Sequence, residues 1–169
     1  MMQAVFRKAA FGDVDAIMEI VYDAQQSLGS RGINQWQNGY PNREAIISDI
    51  NKGVGVVAKQ GETIAAYAAI VVNGEPEYKN LVGGQWLSDD DYIVVHRICV
   101  RNDFVRKGLA SAVMQYAIDF AKVKGIHSFK IDTHIENQYM LNMLNKFGFT
   151  YCGEIHYEHG DRVAFEKTI

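Results

Sequence analysis

The sequence predicts a mixed α/β (α+β) fold of about seven strands and about four helices, carried by one domain over residues 1–169. Three observations support this. Apolar residues recur at helical spacing in four segments, runs rich in β-branched and aromatic residues fall between them, and no repeat or Pro/Gly/Ser-rich linker offers a second boundary. A chain of 169 residues with 48% hydrophobic and 22% charged residues is large and apolar enough to bury a proper core.

Gln3 to Arg7 reads as a short strand. Asp13 is placed to cap a helix whose apolar positions Val14, Ile17, Met18, Val21, Ala24 and Leu28 share one face, and Gly29-Ser30 ends it. An aromatic loop, Gly32 to Asn42, follows. Asn42 caps a second helix with Ile46, Ile47 and Ile50 inward, closed by Gly53. Val54 to Lys59 and Thr63 to Val72 are strands joined by so short a connection that an antiparallel hairpin is expected. Asn73 to Asp91 is polar and reads as a loop. Tyr92 to Val100 is a strand that runs into a third helix carrying Leu109, Ala112, Val113, Tyr116, Ala117 and Phe120 on its core side. Gly125 stops that helix, Ser128 to Thr133 is a strand, and Asn137 to Phe147 is a helix with Met140, Met143, Leu144 and Phe147 inward. Phe149 to Tyr157 and Val163 to Thr168 close the chain as two strands. The order is β-α-α-β-β-β-α-β-α-β-β.

A net charge of −3 with only local basic clusters argues against a nucleic-acid partner. No apolar run approaches the roughly 20 residues that span a bilayer, and the N-terminus lacks a signal peptide's features, so a cytoplasmic protein is expected. Cys99 and Cys152 lie in strands without CxxC spacing and read as reduced, structural thiols. His156 and His159 flank a turn with no further ligands arranged around them, and no metal site is expected there.

The chemistry concentrates between Val100 and Ser111. A strand that delivers its carboxyl end to a glycine-containing loop and then a helix offers unpaired N–H groups and a positive dipole end to an anion, such as a diphosphate. Gly108 permits close backbone approach, Ala110 keeps the first turn small, Ser111 adds a hydroxyl, and Arg106 and Lys107 add charge. By itself such a loop also occurs as ordinary basic surface. No Lys-Ser or Lys-Thr follows, so it is not the ATP-binding P-loop.

Together with the element order, these residues resemble the GNAT superfamily of acetyl-CoA-dependent N-acetyltransferases. Val105-Arg106-Lys107-Gly108-Leu109-Ala110 is similar to the family's Gln/Arg-x-x-Gly-x-Gly/Ala loop, with Val105 in place of the first polar residue. Asn137 and Lys146-Phe147-Gly148-Phe149 match a second signature. The resemblance implies a mostly antiparallel sheet whose fourth and fifth strands splay around acetyl-CoA. It also implies cofactor contacts from Ile98, Cys99, Val100, Val105, Arg106, Lys107, Gly108, Leu109, Ala110, Ser111 and Asn137.

The implied reaction is direct attack of a neutral amine on the thioester, with backbone N–H groups around Ile98 to Val100 polarising the carbonyl. Two family positions differ: Leu144 stands where many members have a tyrosine acid, and Val94 where several have a catalytic Glu. Tyr139 is an alternative acid or a packing residue. His96 and His134 are alternative bases or hydrogen-bonded structural residues, and a histidine base would give an inflection near its usual pKa of about 6.5. Cys99 faces away from His96 by strand alternation. Trp36 and Tyr40 either line the acceptor site or cap the core. A small-molecule amine is the expected acceptor. The alternatives are protein N-terminal or lysine acetylation, and CoA binding without transfer. The exposed edges of such a sheet leave room for a homodimer.

Overall fold

The computed structural model describes residues 3–169. Its elements are β1 (Val5–Lys8), α1 (Val14–Ser30), α2 (Arg43–Asn51), β2 (Gly55–Gln60), β3 (Thr63–Val72), β4 (Tyr92–Val100), α3 (Leu109–Lys124), β5 (Ser128–Thr133), α4 (Gln138–Lys146), β6 (Thr150–Tyr157) and β7 (Gly160–Thr168). This is the expected order. Hydrogen bonds arrange the strands as β1-β2-β3-β4-β5-β7-β6. β4 and β5 run parallel, while β1–β2, β2–β3, β5–β7 and β6–β7 are antiparallel. Among the described residues no helix is long and apolar enough to cross a membrane.

The chain gathers into two compact units, and β3, β4 and α3 each contribute to both. The first unit holds the chain up to Ile70 and Val95–Tyr116. Its core joins Ile17, Ile20 and Val21 of α1 and Ile46 of α2 to Val57, Tyr67 and Cys99 from the sheet. The helical periodicity of α1 predicts Ile17 and Val21 inward, and Ile20, not among the expected positions, is fully buried beside them. Asn42 caps α2 as expected, its Oδ1 accepting from the Ala45 N–H at 2.9 Å.

Asp13 behaves otherwise. Its carboxylate makes no cap bond to α1. It accepts the Ala10 N–H at 2.7 Å, closing the short 3₁₀ turn Phe11–Asp13, and takes two bonds from Arg7 at 2.7 and 2.9 Å. The guanidinium of β1 is the stronger partner for a carboxylate, and it holds the Asp13 pKa below the ordinary value. That stabilisation is present above the unfolded pKa near 3.8 and is lost as pH falls through the folded one. β1 itself lies at Val5–Lys8 and not Gln3–Arg7, because its ladder with β2 runs from Val5↔Lys59 to Lys8↔Val56.

The second unit holds Val71–Val94 and Ala117–Ile169. Here the segment between β3 and β4 differs from the polar loop its composition suggests. It contains a 3₁₀ turn, Pro76–Asn80, whose Tyr78 is buried, and Val82 bridges to Glu154 of β6. Tyr78, Val94, Ile155 and Ala164 form a core with Trp86 and Tyr92 packed on it. Glu166 of β7, fully buried, ties the segment down by accepting the Leu87 N–H and the Ser88 and Ser128 hydroxyls, each at 2.8 Å. One carboxylate with three donors is compatible with burial where a bare one is not.

Close approach fixes Gly84. A Cβ there would lie 1.9 Å from the Cys152 carbonyl oxygen. Gly84→Ala should therefore lower stability by about 1–3 kcal/mol, the usual cost of overpacking. Gly12→Ala, where a Cβ meets nothing within 4 Å, should leave urea unfolding almost unchanged.

Candidate functional site

In the first unit, the stretch after β4 has the geometry its sequence suggests. A 3₁₀ turn, Asn102–Phe104, leads into Val105, Arg106, Lys107 and Gly108, all exposed. Arg106 and Gly108 have positive φ values of 65° and 80°. Alternating left-handed residues turn successive peptide N–H groups toward one side and form an anion-binding concavity. Gly108 is the first acceptor of α3, its carbonyl taking the Ala112 N–H at 3.0 Å. The amides of Leu109, Ala110 and Ser111 therefore lie in the first turn, where a helix has no carbonyl to offer them. A Cβ at Gly108 would meet nothing within 4 Å, so the space beside this backbone is open. Lys107 is steered by Phe104, with Nζ 5.6 Å from the ring centre. These residues fit a diphosphate-bearing group.

β4 carries a feature its sequence conceals. Arg97 has φ 57°, a conformation that costs a non-glycine residue on the order of 1–3 kcal/mol. Side-chain alternation is interrupted there, so it cannot be counted from Val94 through His96 to Cys99. Cys99 is buried in the core with Tyr67 and Val57, and burial pushes its thiol up to about 12. It is no nucleophile near neutral pH.

The Arg97 guanidinium is held by a fork on Asp49 of α2, Nε to Oδ2 at 2.8 Å and Nη2 to Oδ1 at 2.5 Å. Tyr67 of β3 donates to the same Oδ2 at 2.5 Å, and Nη1 of Arg97 donates to the Tyr40 hydroxyl at 2.8 Å. Burial opposes the arginine charge, yet the bonds to Asp49 outweigh it and its pKa is raised. The Tyr67 phenol is pushed up by burial and then by Asp49, and remains a donor. One chain of polar groups thus joins α2, β3, β4 and the loop of residues 31–42.

Tyr40 is consequently fixed through its oxygen while its ring is 47% exposed. Trp36 packs against the core of this unit with φ 63°. The two aromatics therefore differ: Trp36 is half core, and Tyr40 is an anchored surface group. His96 is enclosed, and burial, then the neighbouring Arg97 charge, lower its pKa to about 4. The imidazole is neutral at pH 7. The inflection near pH 6 to 7 expected of a histidine base cannot come from it.

In the second unit, Leu144 is fully buried and Val94 lies in the core, so both are packing residues. Tyr139 stands on the first turn of α4 at 47% exposure. Asn137 caps that helix, its Oδ1 accepting from the Met140 N–H at 3.3 Å. Nδ1 of His134 accepts the Glu136 N–H at 3.1 Å, which places the proton of a neutral ring on Nε2. His134 is therefore presented as a donor and not as a base. His156 bonds Asp161 at 2.6 Å, which raises its pKa; the hairpin carries an ion pair at that position.

Asp49, Arg97 and Asp132 are not singled out by the sequence reading. Asp49 falls three residues after Ile46, on the apolar face of α2, and a carboxylate at such a position signals a buried partner. Asp132 alternates with Ser128 and Lys130 along a central strand, a polar face that must be covered by something.

A model of the acetyltransferase (GNAT) family matches residues 17–149, and the chain belongs to that family of N-acetyltransferases. It is 36% identical to an acetyltransferase of the GNAT family from Streptococcus agalactiae 2603, with a TM-score of 0.91 over 98% of this chain and 95% of that one. A GNAT-family acetyltransferase from Listeria monocytogenes 4b F2365 shares the fold at 20% identity and a TM-score of 0.78, covering 98% and 95%. An uncharacterized N-acetyltransferase, YesJ of Bacillus subtilis strain 168, is 24% identical over 152 residues, 86% of this chain and 81% of its own length.

Removing one member of the buried pair leaves the other charge uncompensated. Asp49→Ala should cost about 3–5 kcal/mol in urea unfolding. Tyr40→Phe, losing one bond at the surface, should cost about 1 kcal/mol or less.

Proposed function

We propose that residues 1–169 work as one acetyltransferase domain that moves the acetyl group of acetyl-CoA to a primary amine of a small molecule by direct attack. The observation that carries this is the loop ahead of α3, with two left-handed residues, open space at Gly108 and the unpaired first turn of a 16-residue helix. Acetyl-CoA, the acetyl donor of this family, supplies a thioester. Backbone amides of Val105 to Ser111 would hold its diphosphate, with charge from Arg106 and Lys107. Ile98, Cys99 and Val100 would offer backbone N–H groups to the carbonyl, and Asn137 would meet the pantetheine arm.

The chain's own residues favour a path without an acyl-enzyme, since the Cys99 thiol is buried and held protonated. A lysine-type amine with a pKa of about 10.4 must lose a proton before it can attack, at roughly 4 to 5 kcal/mol near pH 7. The departing thiolate, with a pKa of about 8.5, tolerates the missing tyrosine acid at Leu144. Support for a small acceptor comes from the loop of residues 31–42. It is fastened by Tyr40 to Arg97, by Gln37 to the Gln25 carbonyl at 2.9 Å, and by Gln25 to the Pro41 carbonyl at 3.3 Å. A loop pinned at three points suits a closed acceptor site better than an open peptide groove.

Two measurements test this reading. Gly108→Asp should weaken CoA binding at least tenfold in calorimetry, because a carboxylate would enter the phosphate position. Gly125→Asp introduces the same residue at a φ of 69° with equally open space, so it controls for backbone strain and should bind CoA normally. Equal affinities in both variants would remove the diphosphate assignment. Intact-mass analysis of amines and peptides incubated with protein and acetyl-CoA should show a 42 Da gain on a small amine; a gain on peptides alone would overturn the acceptor class.

A further inference from the structure

The second unit contains a carboxylate that the reaction outlined above does not yet use. Asp132 is the penultimate residue of β5. The parallel ladder with β4 covers Tyr92↔Ser128, Ile93↔Phe129 and Val94↔Lys130, whereas β5 continues to pair with β7 through Thr133↔Val163. Asp132 thus stands beyond the last β4–β5 pair. Tyr78 and Tyr157 both donate to its Oδ2, at 2.7 and 3.1 Å. Two phenols converging on one oxygen orient the carboxylate of this half-buried residue and leave Oδ1 outside that pair of bonds.

The surroundings suit an ammonium ion. Lys130, two residues earlier on the same face of β5, already places its Nζ 4.6 Å from the ring centres of both Trp86 and Tyr92. Trp86 and Tyr92 both pack on the Tyr78 ring that holds Asp132, and they hold an alkylammonium, here the protein's own. Tyr92 is in turn tied to the Glu75 carbonyl at 3.3 Å.

We propose that Asp132, oriented by Tyr78 and Tyr157, binds the acceptor's ammonium group and takes its proton, and that the acceptor is accordingly a primary alkylamine. This rests on the acetyltransferase reading above. The protons balance simply. One passes from the ammonium to Asp132 and on to solvent. The freed lone pair forms the N–C bond as the C–S bond breaks, and a second N–H proton goes to the sulfur. Burial raises the pKa of Asp132, which its two tyrosine bonds and the charges of Arg162 and His159 oppose. A carboxylate raised in this way is a better base at neutral pH than an exposed one. Tyr78 and Tyr157 are themselves raised, by burial first, and stay donors throughout. Glu75 and Glu77 add negative charge on the Tyr157 side.

The test combines binding with turnover in the full chain. Protein saturated with CoA is titrated calorimetrically with propylamine, benzylamine and 1,4-diaminobutane. Wild type should bind at least one of them, Asp132→Asn should lose tenfold or more, and Asp161→Asn, an exposed carboxylate, should match wild type. Asp132→Asn removes a buried charge and is expected to fold; Tyr157→Phe, which weakens orientation only, should show a smaller loss in the same direction. With acetyl-CoA, Asp132→Asn should lower kcat at pH 7 a hundredfold or more while CoA affinity is retained. Its residual rate should climb with pH as free amine accumulates. Absence of amine binding by wild type, or wild-type affinity and rate in Asp132→Asn, overturns the proposal. Transfer that ignores Asp132 leaves the acetyltransferase reading intact, and Asp132-dependent amine binding without transfer leaves the site and removes that reading.

Discussion

A guanidinium placed inside a sheet must find a carboxylate, and much of the first unit follows from that constraint. Arg97 occupies a left-handed position in the middle of β4, where an L-residue with a long side chain is strained. The fork on Asp49 offsets that strain only if α2 is docked with its carboxylate inward. Docking α2 in this way seats Ile46 in the core, places Asp49 under the Tyr67 hydroxyl, and leaves one guanidinium N–H for Tyr40. Replacing the pair by apolar residues would remove the desolvation cost. It would also remove one of the three fastenings of the loop of residues 31–42.

The second unit solves a similar problem along β5. Ser128, Lys130 and Asp132 give a central strand a polar face, and each residue is satisfied by a different device. Ser128 donates to the buried Glu166, Lys130 is boxed by Trp86 and Tyr92, and Asp132 accepts two phenols. Two of these partners, Tyr78 and Trp86, come from residues 73–91. That segment is polar on average, yet what it lays on the strand face is a pair of aromatics with polar handles.

This explains how much could be read from the sequence and where reading stopped. Helical spacing fixed α1 to α4, β-branched runs fixed the strands, and β4 and β5 fall on the residues expected, because those signals are local. The turn ahead of α3 was legible as well, since Gly108 before a periodic helix is a local pattern. The interior polar network was not. Nothing near Asp49 in sequence announces Arg97, 48 residues away, and nothing near Asp132 announces Tyr78, 54 residues away. The strained φ of Arg97 is equally silent, and it interrupts the alternation that would put Cys99 and His96 on opposite faces.

Proton logistics separate the candidate bases more sharply than position does. His96, its pKa held near 4 by burial and then Arg97, is neutral at pH 7 and has no charge with which to attract an ammonium ion. His134 uses Nδ1 as an acceptor for the Glu136 amide, so its remaining nitrogen carries a hydrogen and must give before it can receive. A carboxylate differs from both in charge. It attracts the ammonium before it accepts the proton, so binding and deprotonation are served by one group. Partial burial then works in its favour twice, strengthening the attraction by lowering the local dielectric and raising the basicity that completes the transfer. Asp132 has that charge, and its orientation is already fixed by two phenols.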